Sequence, residues 1–259
     1  MLKNNPKKID VIVEARMSSS RLPGKTMMKV LGRPIIELMI ERLRKANYID
    51  DIIVATTLNS SDDVIVDLCN KKQISFYRGS ENDVLGRVLQ TAKCFATDII
   101  VEITGDNPLA DPVLVDKMVE KFLQVDEIDY LSNDFGAYIE SYPVLIPFGL
   151  NIKIFTRNVL SGIEKITSHP TDREHVVNYI LQNMKKFKTM EFKIEKEYQR
   201  PEFRFTMDYL EDFQVIKSVY ENLYPQDKNF STQDIFKYFD SNKDVASLNS
   251  KCIQSTYKY

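Results

Sequence analysis

Short apolar runs alternate with amphipathic stretches over the first half of the chain, and that alternation leaves little choice of architecture. Ile9 to Val13 is an almost unbroken apolar run rich in β-branched side chains, as a parallel strand covered on both faces requires. After a polar loop, Pro34 sits where a first helical turn tolerates it, and Ile35, Leu38, Met39 and Leu43 recur at helical spacing. A second buried strand is expected over Asp51 to Thr57, with Ser61 capping the helix that carries Val64, Ile65 and Leu68. Ile74 to Tyr77 and Asp98 to Thr104 read as the third and fourth strands, with a helix from about Val84 to Phe95 between them. Asp111 and Pro112 open the next helix as N-cap and first-turn residue, with Leu114, Met118 and Phe122 on one face. Four strand–helix units in about 120 residues predict an α/β fold of three layers, α/β/α, around a mostly parallel mixed sheet.

The second half is less regular. Ile128 to Leu131 and Leu150 to Phe155 are expected as strands, and Thr171 to Met184 as a helix with Val176, Val177, Ile180 and Leu181 inward. Phe203, Phe205 and Met207 alternate with Arg204, Thr206 and Asp208, the pattern of a half-buried strand ending in a carboxylate. No Pro, Gly or Ser linker splits the chain, so residues 1–259 are read as one domain. Its regular half spans about 9–125 and its less regular half about 126–259.

Composition mainly excludes. A net charge of −2 argues against a protein that coats nucleic acid, and no apolar run reaches the ~18 residues of a membrane span. The polar, basic stretch from Met1 to Lys8, with no apolar core behind it, is not expected to act as a signal peptide. Cys69, Cys94 and Cys252 show no paired spacing, which suits reduced thiols in a cytoplasmic protein, with Cys69 and Cys94 packed as small apolar residues on helices.

The chemistry is concentrated in Ala15-Arg16-Met17-Ser18-Ser19-Ser20-Arg21-Leu22-Pro23-Gly24-Lys25. This loop follows the first strand, where open α/β sheets bind ligands. Ser18, Ser19 and Ser20 are small enough to let backbone N–H groups approach an anion, and Arg16, Arg21 and Lys25 add three cations with no acid before Glu37. Taken singly, each cation reads as a solvated surface charge. Together, at the end of the first strand, they match a triphosphate. The loop has neither the Walker spacing nor the Gly-x-Gly-x-x-Gly dinucleotide fingerprint.

These eleven residues resemble the N-terminal signature of the sugar nucleotidyltransferases of glycosyltransferase-A-like fold. The resemblance is strongest to the cytidylyltransferases of spore-coat polysaccharide biosynthesis, relatives of the enzymes that make CMP-3-deoxy-manno-octulosonate and CMP-acylneuraminate. It continues through Val54-Ala55-Thr56-Thr57, Arg78-Gly79-Ser80-Glu81-Asn82-Asp83-Val84-Leu85-Gly86-Arg87, Ile103-Thr104-Gly105-Asp106-Asn107-Pro108-Leu109, Arg173-Glu174-His175 and Asp208-Tyr209. It implies transfer of CMP from CTP to a sugar, sugar acid or sugar phosphate, with release of pyrophosphate, for surface polysaccharide. Ala15, Arg16, Ser18, Ser19, Ser20, Arg21, Lys25, Thr57, Arg78, Asp83, Val84, Gly86 and Asp106 would bind the nucleotide; Arg16, Lys25 and Asp106 would act in catalysis. The segment from Arg78 to Arg87 would lie over base and ribose. Read from the residues alone, Asp83 could equally cap the helix starting at Val84, and Arg87 could lie on that helix's solvated face.

Asp106 and Asp208 each end a strand, where a carboxylate can reach a hard cation that also touches phosphates, although each could instead cap a helix or start a turn. The resemblance assigns both to Mg²⁺. For the acceptor it offers Arg173, Glu174 and His175, with Asn133 and Asn151 as weaker candidates. Relatives commonly read Gly-Leu-Asp-Val-Glu where this chain has Gly149-Leu150-Asn151-Ile152-Lys153. If those acids bind sugar or a second metal, this chain has a different acceptor, a different metal arrangement or reduced activity, and a lysine there would favour a more anionic acceptor. The expected partners are CTP and a small-molecule sugar, with a homodimer plausible for the family. Two other readings stay open: a glycosyltransferase using a ready-made nucleotide sugar, although Asp106-Asn107-Pro108 lacks the usual Asp-x-Asp, and a non-catalytic nucleotide-binding homologue.

Overall fold

The computed structural model describes residues 6–254; Met1 to Asn5, part of the N-terminal stretch considered above, and residues 255–259 lie outside the described residues. The strands are β1 (Ile9–Glu14), β2 (Lys29–Val30), β3 (Arg33–Pro34), β4 (Asp51–Thr57), β5 (Ser75–Gly79), β6 (Ile99–Thr104), β7 (Tyr130–Ser132), β8 (Lys153–Thr156) and β9 (Thr189–Glu191). The helices of the first half are α1 (Ile35–Leu43), α2 (Asp63–Lys72), α3 (Val84–Cys94) and α4 (Pro112–Gln124). Those of the second half are α5 (Phe135–Tyr138), α6 (Arg157–Ile166), α7 (Pro170–Glu174), α8 (Asn178–Gln182), α9 (Leu210–Leu223), α10 (Thr232–Ser241) and α11 (Lys243–Ser247).

Apolar runs with no polar face make strands that must be covered on both sides, and the sheet obeys this. Its seven strands run in the order β5-β4-β1-β6-β8-β7-β9, so strands from both halves of the chain share one sheet. The first four are mutually parallel; β8 pairs antiparallel with β6 and β7. Ile9, Val11 and Val13 pack with apolar residues of α1, α4, α9 and α10. Ile12 faces the other way, toward α3, α6 and α8. β1 is flanked by β4 and β6, and the chain leaves it in opposite directions, so the carboxyl end of β1 is the switch point at which an open α/β sheet receives ligands.

Several expectations need correction. Ser61 does not cap α2; the chain enters that helix through a 3₁₀ turn, Ser60–Asp62, with Asp62 buried. The helix expected from Thr171 to Met184 is broken into α7, α8 and a 3₁₀ turn at Met184–Lys186. The buried Asp172 accepts hydrogen bonds from Thr167 and Asn178, and side chains that compete in this way interrupt a helix. Arg87 is not on a solvated face: it is 3% exposed and donates to the Ser80 carbonyl. Cys69 is buried, but Cys94 is exposed. The β7 and β8 strands start later than expected, at Tyr130 and Lys153.

The stretch from Phe203 to Met207 is extended but joins no sheet, its one ladder contact being an isolated bridge between Phe148 and Arg204. Its polar positions do not face solvent either. Arg204, 7% exposed, is bonded to Asp208 and Asp212, while Phe203 and Phe205 pack on Phe236 and Phe239 of α10. The alternation therefore records an internal ion-pair network opposite an aromatic cluster.

Candidate active site

The loop after β1 is shaped from below. Gly24 takes a left-handed φ of 73° and returns its N–H to the Met17 carbonyl at 2.9 Å. Asp62 accepts from the Met17 N–H at 2.8 Å, and the buried Thr26 donates to the Arg16 carbonyl at 3.2 Å. The middle of the loop faces a cleft of about 500 Å³ lined by Ala15, Arg16, Ser18, Ser19, Ser20, Arg21 and Lys25, with Val84, Arg87, Asp106, Glu174, His175 and Asp208 across from it. That is a size range in which small-molecule sites occur.

The two aspartates, 102 positions apart in sequence, meet at one cation. Lys25 Nζ lies 2.8 Å from Asp106 Oδ2 and 2.9 Å from Asp208 Oδ1. Arg21 Nη2 reaches the same Asp208 oxygen at 2.8 Å. Burial alone would raise the Asp106 carboxyl, but the Lys25 ammonium and the Thr104 hydroxyl more than offset it and hold Asp106 below its usual range. Burial likewise opposes the charge on Lys25, and Asp106 with Asp208 outweighs it, so Lys25 stays protonated. Asp106 is placed by the turn after β6. Asp208 is placed by the extended stretch before it, whose Met207 N–H donates to the Asp106 carbonyl at 2.8 Å.

No group of three or more His, Cys, Asp or Glu side chains able to hold a metal occurs among the described residues. A pair of aspartates nonetheless suits Mg²⁺, which takes one or two carboxylates and fills its octahedron with phosphate and water oxygens. The two oxygens already converge on a single positive atom, so the donor set fits such an ion.

A second cavity, of about 240 Å³, opens beside Asp106 and Asp208, lined by Asn151, Lys153, His175, Tyr138, Thr206 and Gln254 among others. Lys153 lies 3.6 Å from Glu102, its in-register neighbour on β6, and 5.5 Å from the Tyr138 ring. Burial, and then the Glu102 charge, push the Glu14 carboxyl well above its ordinary range. Glu14, Glu102 and Lys153 thus form a polar row on the α3 side of the sheet. His175 borders both cavities, and burial lowers its pKa, so its ring is neutral near pH 7.

Other expected site residues are engaged within the fold. Thr57 is fully buried, its hydroxyl bonded to Asp62. Arg78 holds the Thr57 and Asn59 carbonyls and pairs with Asp63. Asp83 caps α3 through the Gly86 N–H at 2.8 Å and pairs with Arg173, so the residues on either side of that contact brace one another. Asn133 is buried and bonded to the Leu150 and Ile152 backbone; Asn151 borders the second cavity while donating to Asp134 at 2.7 Å. Sequence reasoning overlooked Glu14, Glu81, Glu102 and Tyr138. Glu102 left a visible signal, an acid inside the apolar run Ile99-Ile100-Val101-Glu102-Ile103. Glu81 accepts from Ser18 and Asn59 and lies 3.8 Å from Arg16.

Comparison with known proteins places the chain in a family. The family model described as "Cytidylyltransferase" matches residues 11–244. An uncharacterized protein, MJ1063, of Methanocaldococcus jannaschii is 36% identical over 97% of this chain and 98% of its own. The spore coat polysaccharide biosynthesis protein SpsF of Bacillus subtilis is 27% identical over 91% of this chain and 95% of its own. Among solved structures, a cytidylyltransferase from Leptospira borgpetersenii serovar Hardjo-bovis superposes with a TM-score of 0.84 at 34% identity, covering 93% of this chain and 97% of that one.

Proposed function

Because the chain belongs to the cytidylyltransferase family, a CTP-dependent nucleotidyltransferase, we propose that it moves CMP from CTP to a hydroxyl of a sugar, sugar acid or sugar phosphate with Mg²⁺, in the cytoplasm, for surface polysaccharide. One observation carries the reading: Asp106 and Asp208, from opposite halves of the chain, converge on Lys25 at the mouth of the cationic cleft. The likeness to SpsF supports the polysaccharide role.

In the transfer, an acceptor oxygen forms a bond to the α-phosphorus of CTP. The bond from that phosphorus to the oxygen bridging to the β-phosphate breaks, pyrophosphate leaves, and the acceptor hydroxyl gives up its proton. The work of such a site is positioning and charge neutralisation rather than covalent catalysis. Mg²⁺, held by Asp106 and Asp208, would supply Lewis-acid neutralisation of phosphate charge. Arg16, Arg21 and Lys25 take the β- and γ-phosphates, and the backbone N–H groups of Ser18 and Ser20 complete the anion pocket, that of Ser19 being bonded to the Met17 carbonyl at 3.0 Å. The cavity beyond Asp106, with Asn151, Lys153 and His175 on its wall, receives the acceptor.

Two measurements test the reading. Pyrophosphate release from CTP is followed with Mg²⁺ and a panel of sugars, sugar acids and sugar phosphates; release should depend on one acceptor class, and no release with any acceptor counts against transferase activity. Thermal unfolding with each of the four nucleoside triphosphates should then show a selective rise with CTP. At a hundredfold excess over Kd the stabilisation is about 2.7 kcal/mol, roughly 5–10 °C for a chain of this size.

A further inference from the structure

The carboxylates that suit a divalent ion are already neutralised by the chain's own cations. Lys25 Nζ stands 2.8 Å from Asp106 Oδ2 and 2.9 Å from Asp208 Oδ1, between the two oxygens that would have to close on a metal. Arg21 shares the Asp208 oxygen at 2.8 Å, and Arg204 holds the other at 3.1 Å. The second Asp106 oxygen accepts from the Thr104 hydroxyl at 2.6 Å. Lys25, Arg21 and Arg204 thus balance Asp106, Asp208 and Asp212, the last bonded to Arg204 at 2.9 Å, and a divalent ion approaching this point finds the carboxylate charge already compensated. The spacing is also an ammonium's: Mg²⁺ needs oxygens at about 2.0–2.1 Å, so the site must contract and Lys25 must leave before a metal can sit there.

The phosphate-binding side is neutralised in the same way. Glu81 accepts from the Ser18 hydroxyl and lies 3.8 Å from Arg16. Lys25, only 12% exposed, stands at the first position of a 3₁₀ turn, on a flexible four-carbon stem at the boundary between cleft and carboxylates. A polyphosphate entering the cleft offers its ammonium a more highly charged partner than two aspartates.

We infer that Lys25 is a counter-ion holding the metal position shut in the free chain, and that the nucleotide's phosphates draw it away, so that metal enters with the nucleoside triphosphate or after it. This rests on the assignment of Asp106 and Asp208 to the metal made above. Because binding linkage is reciprocal, metal and nucleotide then bind with positive cooperativity.

The test is Mn²⁺ uptake by the full chain, read from the electron paramagnetic resonance signal of free Mn²⁺, with and without α,β-methylene-CTP and corrected for Mn²⁺ bound by the analogue alone. The wild-type chain should bind Mn²⁺ about tenfold or more weakly without the analogue than with it. Lys25→Gln, which keeps a hydrogen-bond donor but loses the charge, should bind Mn²⁺ in the free state about tenfold more tightly than wild type, and Lys25→Arg should not. Thermal unfolding checks that both variants fold. Equal wild-type affinity with and without the analogue overturns the inference, as does free Lys25→Gln binding no more tightly than wild type. If Mn²⁺ joins the nucleotide complex equally well in wild type and in Asp106→Asn, the metal assignment itself falls and the inference with it. Loss of uptake in Asp106→Asn together with indifference to residue 25 overturns the counter-ion role alone.

Discussion

At the level of single residues, Asp106 and Glu14 are both carboxylates at the tips of neighbouring strands, and their surroundings drive them apart. Lys25 and Thr104 hold the Asp106 carboxyl below its ordinary range, whereas burial and the neighbouring Glu102 push Glu14 well above it. Asp106→Asn retains size and a Thr104 partner but removes the charge. CTP-dependent pyrophosphate release should fall about 10²–10³-fold, some 3–4 kcal/mol by analogy with loss of an oxyanion donor, while the melting temperature changes little. Glu14 has a different signature. Its folded-state pKa lies above the unfolded carboxyl value of about 4.3, so the folded chain holds a proton that the unfolded chain releases. The stability it contributes is complete below that value and is lost as pH rises toward the folded-state pKa. Melting curves from pH 5 to 8 should therefore show wild type losing ground to Glu14→Gln as pH increases; parallel curves would refute the upward shift.

Among the elements, α3 and the extended stretch before Asp208 each position part of the cleft. Asp83 caps α3 and also meets Arg173, so Asp83→Ala should cost about 1 kcal/mol from the cap, whereas Asp83→Asn keeps an acceptor oxygen for the Gly86 N–H and recovers most of it. Urea unfolding measures the difference. If both variants lose the CTP-induced thermal rise equally, the Asp83 charge contributes to nucleotide binding beyond its cap. The second element depends on Gly149, whose φ is +105° and whose added Cβ would fall 2.4 Å from the Phe205 carbonyl carbon. Phe205 and Thr206 both donate to the Phe148 carbonyl, at 2.6 and 3.0 Å, leaving no slack there. Gly149→Ala should thus destabilise the chain by more than the roughly 1–2 kcal/mol of a left-handed residue and shift Asp208. Thermal unfolding would expose it, and an unchanged melting temperature would show that the contact yields.

For the whole molecule, the consequence of one shared sheet is that the two halves cannot be separated. β6, fully buried along most of its length, pairs with β1 on one side and with β8, from the second half, on the other. A fragment of residues 1–125 would leave the β8-facing edge of β6 unpaired and strip the α6 and α8 side chains from the apolar cluster around Ile100, a template for aggregation. Expressed alone, it should be oligomeric in sedimentation and lack a cooperative unfolding transition; a monomeric, cooperatively melting fragment would contradict this. The succession of strands and helices was legible in the first half because each buried parallel strand announces itself as an apolar run and each helix by its 3.6-residue repeat, whereas the order of strands in the sheet was not. That succession was less legible beyond Val125, where strands of three or four residues are too short to carry a period.

Local chemistry fixed the cationic serine-rich loop, its place after β1 and the alternation that makes a doubly wound sheet, because backbone preference and apolar periodicity act between near neighbours. Which charges face one another was decided only by the folded chain. Lys25, Asp106 and Asp208 become partners because β6 and the stretch that ends at Asp208 are brought to one switch point, and Arg87 and Arg204 are interior because carbonyls and carboxylates from distant segments receive them. Electrostatic partnership depends on distance in space, and a linear pattern of residues carries no record of it.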